Sequence, residues 1–117
     1  MYSPQLIAHF EHPRNVGELE RPDAIARVEN PACGDVMTLA LRVEQGRVVE
    51  AKYLVKGCVA AIGCGSVLTE LIVGRLLEEA RHLRREQIVA AVGGLPPASE
   101  HASHLAWDAL RATLEGL

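Results

Sequence analysis

The sequence predicts an α+β domain built on a small three-stranded antiparallel sheet. Three observations carry this. Two runs of alternating apolar and polar residues are joined by a turn, at 36–44 and 48–56. A long apolar stretch with helical character follows directly, at 60–73. A second helical stretch comes after a proline break, from about Ser99 to Glu115. Strands gathered ahead of helices are the sequence form of this class. A chain of 117 residues suits one domain with one core, and no repeat, linker or low-complexity segment divides 1–117.

Each element has its own signal. Ser3-Pro4 opens a short helix with a hydroxyl cap and a proline in the first turn, and Leu6, Ile7 and Phe10 form its apolar side. His12-Pro13 closes it, because the residue before proline avoids the helical region. A strand near Ala24–Val28 supplies the third member of the sheet. In the next strand Met37, Leu39, Leu41 and Val43 share one face. After the turn Gln45-Gly46-Arg47, Val49, Ala51, Tyr53 and Val55 share a face in the strand that returns. Residues 60–73 are apolar nearly all round, as a buried helix requires, and Gly74 ends them. Two short helices near 76–83 and 85–92 precede the break Gly93-Gly94-Leu95-Pro96-Pro97. The last helix then carries an inner stripe of Ala102, Leu105, Ala106, Ala109 and Thr113.

Composition excludes several classes. A net charge of -3 leaves no basic footprint for nucleic acid, and Glu78, Glu79 and Glu86 offset Arg81, Arg84 and Arg85. No apolar run approaches the roughly 20 residues that span a bilayer. The N-terminus lacks the basic and apolar stretches of a signal peptide, so a cytoplasmic protein without membrane attachment is expected. Three cysteines, Cys33, Cys58 and Cys64, are an odd count that argues against a secreted disulfide framework.

Chemistry concentrates where strands meet loops. Cys33 lies in Pro31-Ala32-Cys33-Gly34-Asp35, a loop that presents a thiol beside a carboxylate, with Gly34 permitting the turn. Cys58 sits between Gly57 and a helix start, where the helix N-terminus is expected to lower a thiol pKa. Cys33 precedes one strand of the hairpin and Cys58 follows the other, so pairing brings both to the open end. His101, early in the last helix, is a candidate third ligand. With Asp35 these groups make a mixed sulfur, nitrogen and oxygen set suited to zinc or to an iron–sulfur cluster. Plain buried cysteines are the alternative that spacing alone leaves open. His9, His12 and His82 read as packing or surface groups, Trp107 as a packing anchor, and His104 and Asp108 as solvent-exposed. Ser66 shows no base nearby in sequence that would make it a nucleophile.

Four segments resemble the IscU/NifU-N family of iron–sulfur cluster assembly scaffolds. They are His9-Phe10-Glu11-His12-Pro13-Arg14-Asn15-Val16-Gly17, Pro31-Ala32-Cys33-Gly34-Asp35-Val36-Met37, Lys56-Gly57-Cys58 with its small-residue helix through Leu68-Thr69-Glu70, and Leu95-Pro96-Pro97 followed by His101-x-Ser103-x-Leu105-Ala106. Their order and spacing fit along nearly the whole chain. The resemblance implies a small sheet with helices packed on one face and a metal or cluster site at its tip. It implies a scaffold rather than an enzyme. A cysteine desulfurase would deliver sulfur, iron would be added, and a [2Fe-2S] cluster would form and pass to an iron–sulfur acceptor protein. Cys33, Cys58, Asp35 and His101 carry over as the residues that hold iron, the cluster, or zinc in the purified protein.

Two departures from the family pattern matter. Where the family has a cysteine after this histidine, the chain has Ala102, whose methyl can neither ligate nor accept sulfur. Leu95-Pro96-Pro97-Ala98-Ser99 lacks the lysine of the family's chaperone-docking motif, so chaperone docking is not carried over. Cys64 is an extra thiol. A step of six residues turns a helix by about 240° net, away from Cys58's side, which suits a core residue. A substitute ligand or sulfur carrier is the other reading. Two further functions follow from the departures: a partner-binding or regulatory module for a cysteine desulfurase without cluster assembly, and a sulfur relay through Cys58 and Cys64.

Overall fold

The computed structural model covers residues 1–117. Helix α1 (Pro4–Glu11) precedes three strands, β1 (Ala24–Glu29), β2 (Val36–Glu44) and β3 (Arg47–Lys56). Helices α2 (Val59–Ile72), α3 (Leu77–Arg81) and α4 (Arg85–Ala91) follow, then a 3-10 turn (Pro97–Ser99) and α5 (His101–Glu115). The strands form one antiparallel sheet in the order β1-β2-β3, and α2 and α5 pack on its inner face. This is the expected α+β architecture, with the last helix opening two residues later than the sequence suggests because Pro97–Ser99 makes a tighter turn first.

The β2–β3 hairpin departs from the expected pattern in one respect. Its two-residue turn places both Gln45 (φ 51°) and Gly46 (φ 74°) in the left-handed region, the geometry that matches strand twist. Just beyond the turn, Val43 pairs with Val48 but Arg42 pairs with Glu50, which leaves Val49 as an extra residue on β3. This bulge reverses the alternation locally. Val48, not Val49, is therefore fully buried beside Ala51 and Tyr53.

Helix α2 is apolar on all sides because it is covered on all sides, by β3, α1, α4 and α5. Its small residues allow this closeness. A side chain at Gly63 would collide with Leu6 of α1, and one at Gly65 would collide with the ring of Tyr53. The Tyr53 hydroxyl donates to the Ile62 carbonyl at 2.7 Å, and burial pushes its pKa up to about 12. The Ser3 side chain caps α1 by accepting from the Leu6 N–H. Only Leu6 of that helix is buried, while Ile7 and Phe10 remain in part exposed, so α1 contributes one buried apolar side chain rather than a full apolar face.

The segment after α1 ties the two sides of the domain together. The Arg14 N–H donates to Ser66 Oγ at 2.8 Å, and Asn15 Nδ2 donates to Thr69 Oγ1 at 3.0 Å, both on α2. The Asn15 carbonyl accepts from the Tyr53 N–H and the Gly17 N–H donates to the Tyr53 carbonyl, which extends the edge of β3. Beyond α2, Gly74 and Arg75 run along the same edge by pairing with Val48.

Leu6→Ala removes the one buried anchor of α1. It is expected to lower the unfolding free energy by about 2–5 kcal/mol, the usual cost of emptying a core leucine site. Chemical denaturation of the variant against the parent checks this; a loss below about 0.5 kcal/mol would show that Leu6 does not anchor α1.

Candidate functional site

Three chain segments meet at the open end of the hairpin. The first is the loop between β1 and β2. The Asn30 N–H donates to the Asp35 carbonyl at 2.8 Å, the Gly34 N–H donates to the Asn30 carbonyl at 2.7 Å, and Asn30 Oδ1 accepts from the Ala32 N–H. This closes the loop and holds Cys33 at its exposed tip, with Gly34 at φ 79° making the reversal. Asn30 is a residue that sequence reading passed over; the Asn30-Pro31 turn dipeptide is the signal that could have found it. The second segment is the junction of β3 with α2. Val36 pairs with Lys56, so Asp35 lies across from Gly57 and Cys58, and Cys58 is the N-cap residue of α2. The third is the first turn of α5, which begins at His101.

These segments bring Cys33, Asp35, Cys58 and His101 together. Ligand atoms of Cys33, Asp35 and His101 all lie within 4.8 Å of one another. His101 Nε2 is 3.7 Å from Asp35 Oδ2 and 3.6 Å from Cys58 Sγ. Asp35 Oδ2 also accepts the Cys58 N–H at 3.3 Å. Asp35 is almost fully buried, at 9% exposure, whereas Cys33 is exposed and Cys58 and His101 are half-buried. The donors thus form a shallow cluster open on the Cys33 side. His104 and Asp108 face solvent, one and two turns farther along α5.

The electrostatics of Cys58 reverse one expectation. Its thiol pKa is raised rather than lowered. Burial is the largest cause, because it disfavours the thiolate, and the nearby Asp35 carboxylate adds to it. The Ala61 and Ala60 backbone N–H groups of α2 pull the other way, as a helix N-terminus should, but they do not prevail.

Cys64 stands apart from this cluster. It is fully buried in the hydrophobic core, and burial pushes its thiol up to about 12. Its place inside α2, away from solvent, suits a small apolar group better than a substitute ligand or a relay partner for Cys58. Ala102 is also fully buried and offers no donor atom. Ser66 does have a base beside it, which the sequence does not reveal: His9 Nδ1 lies 2.7 Å from its Oγ, and His9 Nε2 lies 3.5 Å from Glu70. Ser66 is fully buried, however, so the contact serves packing and not nucleophilic attack. Trp107 donates its ring N–H to the Leu83 carbonyl at 3.0 Å and packs against the core, with Arg111 over its ring.

Comparison with known proteins places this geometry in context. Residues 1–116 match the family described as NifU-like N terminal domain. The chain is 43% identical over 114 residues to the iron–sulfur cluster assembly scaffold protein IscU 1 of Archaeoglobus fulgidus, covering 97% of this chain and 74% of that one. To IscU of Azotobacter vinelandii, also named an iron–sulfur cluster assembly scaffold protein, it is 44% identical over 117 residues, covering 97% and 91%. Among solved structures, a nitrogen-fixing NifU-like protein (N-terminal) from Brucella abortus superposes with a TM-score of 0.80 at 21% identity, covering 97% and 92% of the two chains. At that identity the superposition speaks for the fold.

Burial orders the three thiols. Under native conditions Cys33 is expected to alkylate first, Cys58 more slowly, and Cys64 only when denaturant is added; mass spectrometry of timed samples reads the order, and early labelling of Cys64 would contradict it. A second outcome concerns pH. The thiol of Cys64 moves from 9.0 unfolded to about 12 folded, so its contribution to stability is whole below pH 9 and is lost as pH rises toward 12. Tyr53 acts in the same direction, from 10.0 to about 12. Urea unfolding between pH 8 and pH 11 should show falling stability, with a shallower fall in Cys64→Ala; an identical slope in that variant would contradict the burial argument.

Proposed function

Since the chain belongs to the NifU-like N-terminal domain family, we propose that it is an iron–sulfur cluster assembly scaffold, which holds iron, zinc or a labile [2Fe-2S] cluster and passes it to acceptor proteins. The observation that carries this reading is the convergence of Cys33, Asp35, Cys58 and His101 at one open end of the domain. The relatives named as assembly scaffolds support the role in general. The donor chemistry supports the particular residues.

Two thiolates are soft ligands, an imidazole is intermediate, and a carboxylate is hard. Such a set fits tetrahedral zinc or ferrous iron, and paired thiolates are the ordinary attachment of an iron–sulfur cluster. Ligand atoms of Cys33, Asp35 and His101 lie within 4.8 Å of one another, and Cys58 Sγ joins them through His101 Nε2 at 3.6 Å. Cys33 and Cys58 supply the strong bonds. Asp35 is the weaker oxygen donor, which suits cargo that must leave again. His101 closes the set from α5. The exposed side at Cys33 is where a cysteine desulfurase would deliver sulfur and an acceptor would collect the product. Three free thiols suit a reducing cytoplasm. In this role the protein holds an intermediate and does not turn a substrate over as an enzyme does.

Elemental analysis after anaerobic loading tests the reading. Cys33→Ala and Cys58→Ala are each expected to lose bound iron or zinc, Asp35→Ala and His101→Ala to bind at least about tenfold more weakly, and Cys64→Ala to bind like the parent. Metal retained after both Cys33 and Cys58 are replaced would sink the assignment of ligands. No metal in any form, including under anaerobic conditions, would favour a module that binds a desulfurase without assembling clusters.

A further inference from the structure

Gly57 occupies the single residue between the end of β3 and the N-cap Cys58. Its φ lies outside the left-handed region, so the backbone does not call for glycine there. Space does. A Cβ on Gly57 would lie 2.6 Å from Asp35 Cγ, 2.8 Å from its Oδ2 and 2.9 Å from its Cβ. Carbon atoms in contact sit about 3.5–4.0 Å apart, so the two cannot coexist unmoved.

Asp35 has little freedom to give way. Its carbonyl accepts the Asn30 N–H at 2.8 Å, and the next residue, Val36, is paired with Lys56 across the sheet. Its carboxylate accepts the Cys58 N–H at 3.3 Å and lies 3.7 Å from His101. A methyl at position 57 must therefore turn the carboxylate out of this place or open the bend between β3 and α2. Either movement separates Asp35 from the Cys58 amide and from His101.

We infer that Gly57 is a positioning residue of this site: its missing side chain is the slot that seats the Asp35 carboxylate between the Cys58 amide and His101. The slot stands on geometry alone. Its consequence for metal rests on the scaffold reading given above. Gly57 touches no cargo itself and acts through Asp35.

The test has two readouts. In metal-free, isotope-labelled protein, hydrogen-exchange protection of the Cys58 amide is measured by NMR in the parent, Gly57→Ala and Asp35→Gly. Both variants are expected to lose about 2- to 10-fold in protection, the loss of one hydrogen bond. Zinc affinity is then measured by chelator competition. Both variants should weaken by a similar factor, roughly 10- to 100-fold, and the double variant should be no weaker than Asp35→Gly alone. Parent-like amide protection in Gly57→Ala, or a double variant weakened by the product of the two single factors, overturns the inference. Should the parent bind neither zinc nor, under anaerobic conditions, ferrous iron, the scaffold reading falls while the amide measurement still decides the slot. Should Gly57→Ala fail to fold, adding Asp35→Gly is expected to restore a cooperative thermal transition by emptying the slot, and failure to restore it counts against the inference.

Discussion

The site depends on the register in which β2 pairs with β3. With Val36 opposite Lys56, Asp35 comes to lie across from Gly57, and the Cys33 loop and the start of α2 become neighbours. A slip of one residue would turn Met37, Leu39 and Leu41 away from the core and carry Asp35 off the Cys58 amide. The buried side chains therefore hold the geometry of the site as well as the stability of the fold. The tight Gln45-Gly46 turn and the bulge at Val49 belong to the same constraint, because they set how the pairing begins.

A second layer of contacts keeps the helix that carries Cys58 against the strand that leads into it. Tyr53 on β3 enters the space left by Gly65 on α2 and bonds the Ile62 carbonyl. The segment from His9 to Gly17 spans both elements, bonding Ser66 and Thr69 on one side and the Tyr53 backbone on the other. Glu70 contacts His9 and forms an ion pair with Arg14 at the surface, which contributes little by itself. The stretch from His9 to Gly17 thus serves as a clasp, fastened to the helix that Cys58 caps.

Much of this was legible in the sequence, for identifiable reasons. Alternation over 36–44 and 48–56 locates the hairpin, and a hairpin alone implies that Cys33 and Cys58 share its open end. The parity of Val48 and Val49 was not legible, because both are apolar valines and only the bulge decides which is inside. Ile7 and Phe10 look like a buried stripe in a helical projection, but α1 is an outer helix with one anchor. The raised thiol pKa of Cys58 is not legible either, because a helix N-terminus is visible in sequence, whereas burial and the approach of Asp35 come from the fold. The contact of His9 with Ser66 joins residues too far apart in the chain for any local pattern to reveal.

In the proposed ligand set, one centre takes two sulfur donors and two lighter donors from this chain. X-ray absorption at the zinc edge of the stoichiometrically loaded protein tests it most directly. Two sulfur ligands near 2.3 Å and two nitrogen or oxygen ligands near 2.0–2.1 Å are expected, roughly the usual bond lengths for such donors. A shell of nitrogen and oxygen alone, or one with three sulfur ligands per zinc in a monomer, would contradict it.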